Sequence, residues 1–322
     1  MQAITFIDTE IDPHNGNILD LGGIKEDNRS FHSGSVKSFI EFLRGSSFIC
    51  GHNIFEHDLK YLRDAVREAC IKESQIIDTL YLSPLLFPRK PYHALLKDDK
   101  LQSDDLNNPL NDATKAKALF FDEVTAFNQT DQTLRQIYYL LLHNTKEFGA
   151  FFQFCGFSTV HTDTAALIRD RFHAQICEHV NLPGLIAEYP VELSYCLALI
   201  NTRSRSSLTP RWVTINYPNV EKVMFLLRSK PCLSGCAYCD TALDIHMGLK
   251  RFFGFDYFRT YGGEPLQEKA VQAAIENKSL LAIFPTGGGK SLTFQVPALM
   301  SGDNSNGLTV VISPLQSLMK DQ

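Results

Sequence analysis

The chain has no apolar run long enough to cross a membrane, which takes about 18 residues. Its richest apolar stretches, residues 194–200 and 137–142, are far shorter. A secretory leader is not expected either, because a patterned strand follows the first residues directly. We therefore expect a cytoplasmic protein that makes no membrane contact.

Positive charge is not in excess, since 31 lysine and arginine residues stand against 36 aspartate and glutamate residues. The net charge of -5 excludes a uniformly basic nucleic-acid-binding protein, but it leaves a local basic groove or metal-mediated phosphate contacts. Cysteine is scarce as well, because eight cysteines in 322 residues are too few for a disulfide scaffold. The remaining composition is that of a core-forming protein with about two domains.

Hydrophobic patterning divides the sequence into four segments. Strands that alternate with helices over residues 1–130 predict an α/β domain. Residues 131–202 predict a mainly helical region, and residues 203–250 predict a linker that carries a cluster of cysteines. A second α/β pattern begins at residue 251 and runs to residue 322.

Several individual elements are also predicted. Residues 3–7 and 17–24 predict two strands, and Asn15-Gly16 between them is a strong hairpin signal. Pro109 is suited to the first turn of a helix. Residues 280–284 predict a strand that leads into a glycine-rich loop.

Four acidic residues predict a metal site in the first segment. Asp8 and Glu10 are two residues apart on a strand, so their side chains share one face. The two acids would repel each other without a cation between them. Asp58 and Asp112 offer a third and a fourth carboxylate, and such a set could hold two Mg²⁺ or Mn²⁺ ions for phosphodiester hydrolysis.

The segments around these acids read FIDTEID, GHNxxxHD and NDA. Together they resemble the three motifs of the DnaQ-like, four-carboxylate 3′–5′ exonucleases. The resemblance covers residues 1–130 and implies an RNase H-like fold. It also implies the following catalytic metal ligands: Asp8, Glu10, Asp58 and Asp112.

The third motif departs from that family at the general base. The family has a His or a Tyr at the positions where Asn107 and Asn108 stand here. A carboxamide cannot accept a proton from water near neutral pH. The metal ions would then activate the nucleophile alone or with another base, for which His93 and His57 are the candidates.

A glycine-rich loop follows the predicted strand at residues 280–284. Backbone N–H groups in such a turn between a strand and a helix can surround phosphate groups. Lys290 would reach the β- and γ-phosphates of ATP, and Ser291 would bind Mg²⁺. The strict pattern has Gly where Phe284 stands. The predicted nucleotide-binding residues of the loop are Thr286, Gly287, Gly288, Gly289, Lys290 and Ser291.

The sequence around this loop carries a second resemblance. The segments FGF and YFR, Gln267, PTGGGKS and VVISPLQSLMKDQ are together similar to the start of a RecQ-family DNA helicase. The resemblance covers residues 251–322 and implies the beginning of a RecA-like lobe, in which Gln267 contacts adenine with Arg259 nearby. Neither the Asp-Glu pair that holds Mg²⁺ nor a second lobe follows, so we expect a fragment of a longer protein.

Three cysteines have C-x3-C-x2-C spacing: Cys232, Cys236 and Cys239. Such thiolates predict a structural Zn²⁺ site closed by a fourth ligand. His246 is the nearest candidate for that ligand, and Cys177 and Cys196 are more distant ones. The same spacing occurs in radical S-adenosylmethionine enzymes, but these need a long β/α barrel after the motif. Three unligated thiols are the remaining alternative.

These features predict the N-terminal part of a RecQ-like ATP-dependent DNA helicase with an exonuclease domain, acting in DNA repair or recombination. The expected partners are ATP and DNA that is single-stranded or has a 3′ end. An alternative is a binding module, in which the first domain is a nuclease relic that only docks DNA. A metal–sulfur redox enzyme is a third and weaker alternative.

Overall fold

The computed structural model describes residues 3–90, 92–95, 108–160, 162–202, 204, 207–232 and 234–312. Among these residues, no helix is both long and apolar enough to span a membrane. The first part of the chain folds as an α/β unit, as predicted. Its elements are β1 (Ile4–Ile11), β2 (Ile18–Lys25), β3 (Ser30–His32), α1 (Val36–Leu43), β4 (Phe48–Gly51), α2 (Leu59–Glu68), β5 (Ile76–Asp78), α3 (Thr79–Leu86) and α4 (Pro109–Gln129).

The five strands form one mixed sheet in the order β3-β2-β1-β4-β5. β1 pairs antiparallel with β2 and parallel with β4, while β2–β3 is antiparallel and β4–β5 is parallel. The predicted hairpin is confirmed, because the Asp12 N–H donates to the Asn17 carbonyl at 2.9 Å and Gly16 has a φ of 74°. The acidic strand β1 is therefore the central strand of the sheet.

Alternation along the central strands gives the sheet two apolar faces. Ile7 and Ile49 pack into a core with α1 and α2, whereas Phe6 and Cys50 belong to the core on the opposite face. The Phe6 ring lies 5.6 Å from the Phe120 ring of α4. Because side chains alternate along a strand, the even-numbered residues of β1 face α4.

Helix α4 begins at Pro109, which confirms the predicted start. Asn108 caps it, since its side-chain oxygen accepts a hydrogen bond from the Leu110 N–H at 3.0 Å. The first turn lies directly against β2, where a Cβ on Gly22 would come within 2.1 Å of the Pro109 carbonyl carbon. Only glycine permits so close an approach between two backbones. Gly22 is the residue paired with Asp8, so the start of α4 lies beside the acidic strand.

The middle of the chain is helical, as predicted. Its helices are α5 (Gln132–Leu142), α6 (Gly149–Phe154), α7 (Thr164–Arg171), α8 (Leu182–Glu188), α9 (Pro190–Thr202), α10 (Arg211–Asn216) and α11 (Val220–Arg228). Their core is continuous with that of the sheet, because Ile137, Leu197 and Val223 belong to the same apolar cluster as Phe6. The predicted boundary after residue 130 falls at the Asp131 N-cap of α5, but the core crosses it. The predicted linker is likewise packed, since it contributes α10 and α11.

The last part of the chain differs from its predicted α/β pattern. Its described elements are α12 (Cys239–Ala242), α13 (Ile245–Phe253), α14 (Leu266–Ile275) and α15 (Leu292–Ser305). The prediction of a strand at residues 280–284 is wrong. This segment has no regular secondary structure, and its Leu281 and Ile283 side chains are 87% and 81% exposed. A strand is stabilised by hydrogen bonds to a neighbouring strand, and none lies beside this segment in the part of the chain described. Residues 313–322, which carry the SPLQSLMKDQ motif, lie outside the described residues.

Candidate functional site

Asp8 and Glu10 lie half-buried on the face of β1 that is turned towards α4, as their spacing predicts. In the ladder with β2, Asp8 is opposite Gly22 and Glu10 is opposite Asp20. Because Gly22 touches the start of α4, the position of Asp8 is beside the helical turn that carries Asp112. The backbone positions of three of the four predicted acids are thus adjacent, but no three of the four carboxylates, all of which the structure describes, have ligand atoms within 4.8 Å of one another.

Asp58 approaches the same strand at the start of α2. It is 1% exposed, and its Oδ1 accepts a hydrogen bond from the Thr9 hydroxyl at 2.7 Å. Thr9 stands between Asp8 and Glu10, so this bond attaches Asp58 to the acidic strand. The second oxygen, Oδ2, is buried and has no hydrogen-bond partner among the described residues. A buried carboxylate oxygen without a donor costs free energy, which a bound cation would offset.

The loop that carries Asp58 is held by Asp78 at the end of β5. The Asp78 carboxylate accepts hydrogen bonds from the N–H groups of Asn53 at 2.8 Å, Phe55 at 3.2 Å and Leu80 at 2.9 Å. Burial raises the pKa of Asp78 to about 7, although these three hydrogen bonds oppose the shift. Nothing in the sequence singled out Asp78 beyond its place at the end of a strand-like run.

The two candidate general bases lie in different surroundings. The Nδ1 atom of His57 is 3.8 Å from Asp58 Oδ1, its side chain is 48% exposed, and the neighbouring Asp58 carboxylate raises its pKa. His93 is buried against the Ser83 hydroxyl at 2.9 Å, and burial lowers its pKa to about 4. Asn108 caps α4, and Asn107 lies outside the described residues. His57 is therefore the candidate that adjoins the carboxylates.

A compact set of candidate metal ligands occurs elsewhere in the fold. Within the described ranges, one group of at least three ligand atoms lies within 4.8 Å of one another, and it contains sulfur atoms and no carboxylates. Its members are Cys177, Cys232, Cys236 and Cys239.

This set corrects the fourth ligand expected from proximity in sequence. The Nε2 atom of His246 lies 3.2 Å from Glu268 Oε1 and is not part of the sulfur cluster. Cys177, a more distant candidate, lies in the sulfur cluster instead. Cys196 is buried at α9, where its Sγ is 3.4 Å from the Val220 carbonyl oxygen.

The glycine-rich loop extends from Thr286 to the N-cap of α15 at Ser291. Gly287 and Gly289 have positive φ angles of 76° and 65°, which glycine adopts without strain. The loop therefore turns sharply before the helix. The six predicted nucleotide-binding residues of the loop thus form one turn that leads into α15.

Gln267 joins this loop to the segment before α14. It is fully buried, its Nε2 donates to the Gly289 carbonyl at 2.9 Å, and its Oε1 accepts from the Arg259 N–H at 2.9 Å. The Lys290 ammonium donates to the Phe284 carbonyl at 3.4 Å. The predicted adenine contact is thus packed directly against the predicted phosphate loop.

Comparison with known proteins identifies relatives of this last region. Residues 264–322 match the sequence model of the DEAD/DEAH box helicases. The chain is 46% identical over 67 residues to the ATP-dependent helicase SGS1 of Saccharomyces cerevisiae, which covers 21% of this chain and 5% of that protein. It is 45% identical over 92 residues to the ATP-dependent DNA helicase RecQ of Haemophilus influenzae, with coverage of 29% and 13%.

A further relative is the ATP-dependent DNA helicase RecQ of Synechocystis, with 43% identity over 74 residues, 23% of this chain and 14% of that protein. The chain therefore spans only a small part of the length of these relatives. No solved structure matches the chain significantly. The residues that match the DEAD/DEAH box helicase model include Gln267 and the glycine-rich loop, but neither the carboxylates nor the cysteines. The C-terminal region is thus similar in sequence to part of the RecQ-like ATP-dependent DNA helicases.

Proposed function

We propose that this chain is the N-terminal part of a RecQ-like ATP-dependent DNA helicase that carries a metal-dependent 3′–5′ exonuclease domain. Its substrates would be DNA ends, single-stranded or with a free 3′ end, in repair or recombination. The similarity of residues 264–322 to helicases supports the ATP-dependent part. The mixed sheet with helices on both faces supports the RNase H-like fold that the motifs imply.

The observation that carries the nuclease proposal is the unpartnered oxygen of Asp58. This oxygen is buried, and the other oxygen of the same carboxylate accepts a hydrogen bond from the hydroxyl of Thr9, the residue between Asp8 and Glu10 on β1. Together with Asp112, these acids would hold Mg²⁺ or Mn²⁺, whose charge stabilises the transition state of phosphodiester hydrolysis. Thr9 orients Asp58 through its hydroxyl hydrogen bond.

For the helicase part, the glycine-rich loop would hold the phosphates of ATP. Its backbone N–H groups and Lys290 would neutralise phosphate charge, and Ser291 would contact the associated Mg²⁺. Gln267 contacts the loop, and to contact adenine it would exchange its present hydrogen bonds to the Gly289 carbonyl and the Arg259 N–H for bonds to the base.

We also propose Zn²⁺ as the cofactor of the cysteine group. Thiolates are the preferred ligands of structural zinc, and four of them complete a closed site. Zinc would also explain why four sulfur atoms gather in a region that has few apolar side chains.

A nuclease assay tests the first part of the proposal. Single-stranded DNA labelled at its 5′ end should be shortened stepwise from its 3′ end when Mg²⁺ or Mn²⁺ is present. Asp8→Ala should abolish the shortening, whereas Asp64→Ala should preserve it, because the Asp64 side chain is 99% exposed on α2. Equal degradation by the wild type and the Asp8→Ala variant would show that another site or a contaminant cleaves the DNA.

A second candidate function is a DNA-binding module without nuclease activity. The observation in its favour is that Asn108, at a position where the exonuclease family carries its base, is engaged as the N-cap of α4. In this case single-stranded DNA would bind, as measured by fluorescence anisotropy, while the metal-supplemented assay yields no shortened product.

A further inference from the structure

The four clustered cysteines come from two parts of the chain that are distant in sequence. Cys177 lies in the loop between α7 and α8, in the helical region. The other three follow α11, and Cys239 is the first residue of α12. All four sulfur atoms lie within 4.8 Å of one another, and all four cysteines are free thiols.

The spacing of the sulfur atoms selects the kind of metal centre. Four thiolates around one zinc ion, each about 2.3 Å from it, lie about 3.8 Å apart in a tetrahedron. A [4Fe–4S] cluster binds each thiolate to a different iron atom, which spreads the sulfurs more widely. The observed limit of 4.8 Å fits a single ion. Three of the four cysteines are buried, so the site has no open position for a substrate.

Hydrogen bonds connect the two chain segments beside the sulfur atoms. The Cys177 N–H donates to the Leu227 carbonyl at 2.8 Å, and His179 Nε2 lies 3.1 Å from the Gly235 carbonyl oxygen. Within the second segment, the N–H of Cys239 donates to Cys236 Sγ at 3.4 Å.

Apolar packing around this cluster is sparse. Its five buried residues are Cys177, Cys236, Tyr238, Cys239 and Leu243, so three of the five are the cysteines themselves. Ile275, at the end of α14, packs against the same cluster and connects it to the region that carries the glycine-rich loop. A metal ion would thus supply cohesion at a place where the hydrophobic effect supplies little.

We propose that Cys177, Cys232, Cys236 and Cys239 bind one structural Zn²⁺, which joins the loop before α8 to the segment leading into α13. The zinc ion thereby fixes the helical region to the helicase-like end of the chain. Binding releases the thiol protons to solvent, because zinc binds thiolates. This inference rests on zinc as the cofactor of the cysteine group, and it is independent of the nuclease and helicase assignments.

Metal analysis of the purified chain of 322 residues tests the ligand set. We expect about one zinc per chain and no iron in the wild type. Cys177→Ser should lose most of the zinc, while His246→Ala and Cys70→Ser should retain it, because Cys70 is exposed and outside the cluster. Zinc retained by Cys177→Ser, or lost from His246→Ala, would overturn the proposed ligand set. Iron with acid-labile sulfide, or no metal at all, would overturn zinc itself.

Two measurements on the wild type keep the test independent of whether the Cys177→Ser variant folds. Replacement of zinc by Co²⁺ should give the intense thiolate-to-cobalt absorption of a four-sulfur tetrahedral site, and its absence would contradict this coordination. Removal of zinc by a chelator should accelerate amide exchange at Cys177 and Cys239, whose N–H groups are hydrogen-bonded, and leave β1 unchanged. Unchanged exchange at these two amides would show that zinc does not join the segments. DNA shortening from 3′ ends, measured separately, reports only on the nuclease proposal.

Discussion

The buried carboxyl group of Glu123 should make the stability of the chain depend on pH. Its side chain is fully buried in α4, and neither carboxyl oxygen has a hydrogen-bond partner among the described residues. Burial raises the pKa of Glu123 well above its usual value of 4.5, and the neighbouring charge of Asp78 adds to the shift. The folded chain therefore keeps a proton that the unfolded chain releases.

The sign and size of the effect follow from proton linkage. Because the folded state binds more protons, the free energy of unfolding falls as the pH rises above about 4.5. Each pH unit in this range costs about 1.4 kcal/mol, so the loss over the roughly 2.5 units up to pH 7 is at most about 3.5 kcal/mol. Glu123→Gln removes this loss but leaves a polar group buried. Glu123→Met also removes the unpartnered oxygens, which adds about 1–3 kcal/mol at every pH.

Urea unfolding of the three proteins at pH 5 and pH 7 measures both contributions. Relative to the wild type, Glu123→Gln should gain little stability at pH 5 and up to about 3.5 kcal/mol at pH 7. Asp122→Asn, at an exposed neighbouring position, is the matched control and should change the stability by less than about 0.5 kcal/mol. A Glu123→Gln variant that is destabilised at both pH values would refute the reasoning, because it would mean that the carboxylate has a partner.

Three further predictions follow from individual contacts. Gly22→Ala should destabilise the chain by about 1–3 kcal/mol or more in chemical denaturation, because the added Cβ meets the Pro109 backbone at 2.1 Å. Gly302→Ala is its control, since that Cβ meets only the Gly307 carbonyl oxygen at 3.9 Å, and equal effects would contradict the close approach of α4. Lys290→Ala should weaken ATP binding roughly tenfold or more in a fluorescence titration, whereas the exposed Lys278→Ala should not; equal affinities would remove Lys290 from the site. Asp78→Ala should accelerate amide exchange at Asn53 and Phe55, whose N–H groups it binds, and unchanged protection would show that Asp78 does not hold the loop.

The N-terminal fold could largely be predicted because its signals are local. The short buried-type run at residues 3–7, the Asn15-Gly16 turn and Pro109 at a helix start each act within a few residues, and the structure confirms all three. The shared face of Asp8 and Glu10 follows from the same period of two. Proximity of Asp112 to that face depends on Gly22, whose small size matters only once α4 is packed against β2.

The features that sequence patterns did not predict depend on contacts between distant segments. Cys177 joins the other cysteines only through the packing of α7 to α11, so proximity in sequence pointed to His246 instead. The hydrophobic core that continues across residue 131 also depends on contacts between distant segments. The sequence pattern changes at this residue from mixed strands and helices to helices alone, but buried side chains from both sides pack into one cluster. The strand expected at residues 280–284 shows the converse: a strong local pattern does not form a strand without a neighbour to pair with.

Manganese binding tests most directly whether the four carboxylates form one site. Titration calorimetry of the full chain with Mn²⁺ should detect binding of about two ions, the number used for two-metal phosphodiester hydrolysis. Asp8→Asn should lose most of this binding, and Asp64→Asn, at a position that is 99% exposed, should keep it. A wild-type chain that binds no Mn²⁺, or an Asp8→Asn variant that binds it as the wild type does, would contradict a metal site at Asp8, Glu10, Asp58 and Asp112.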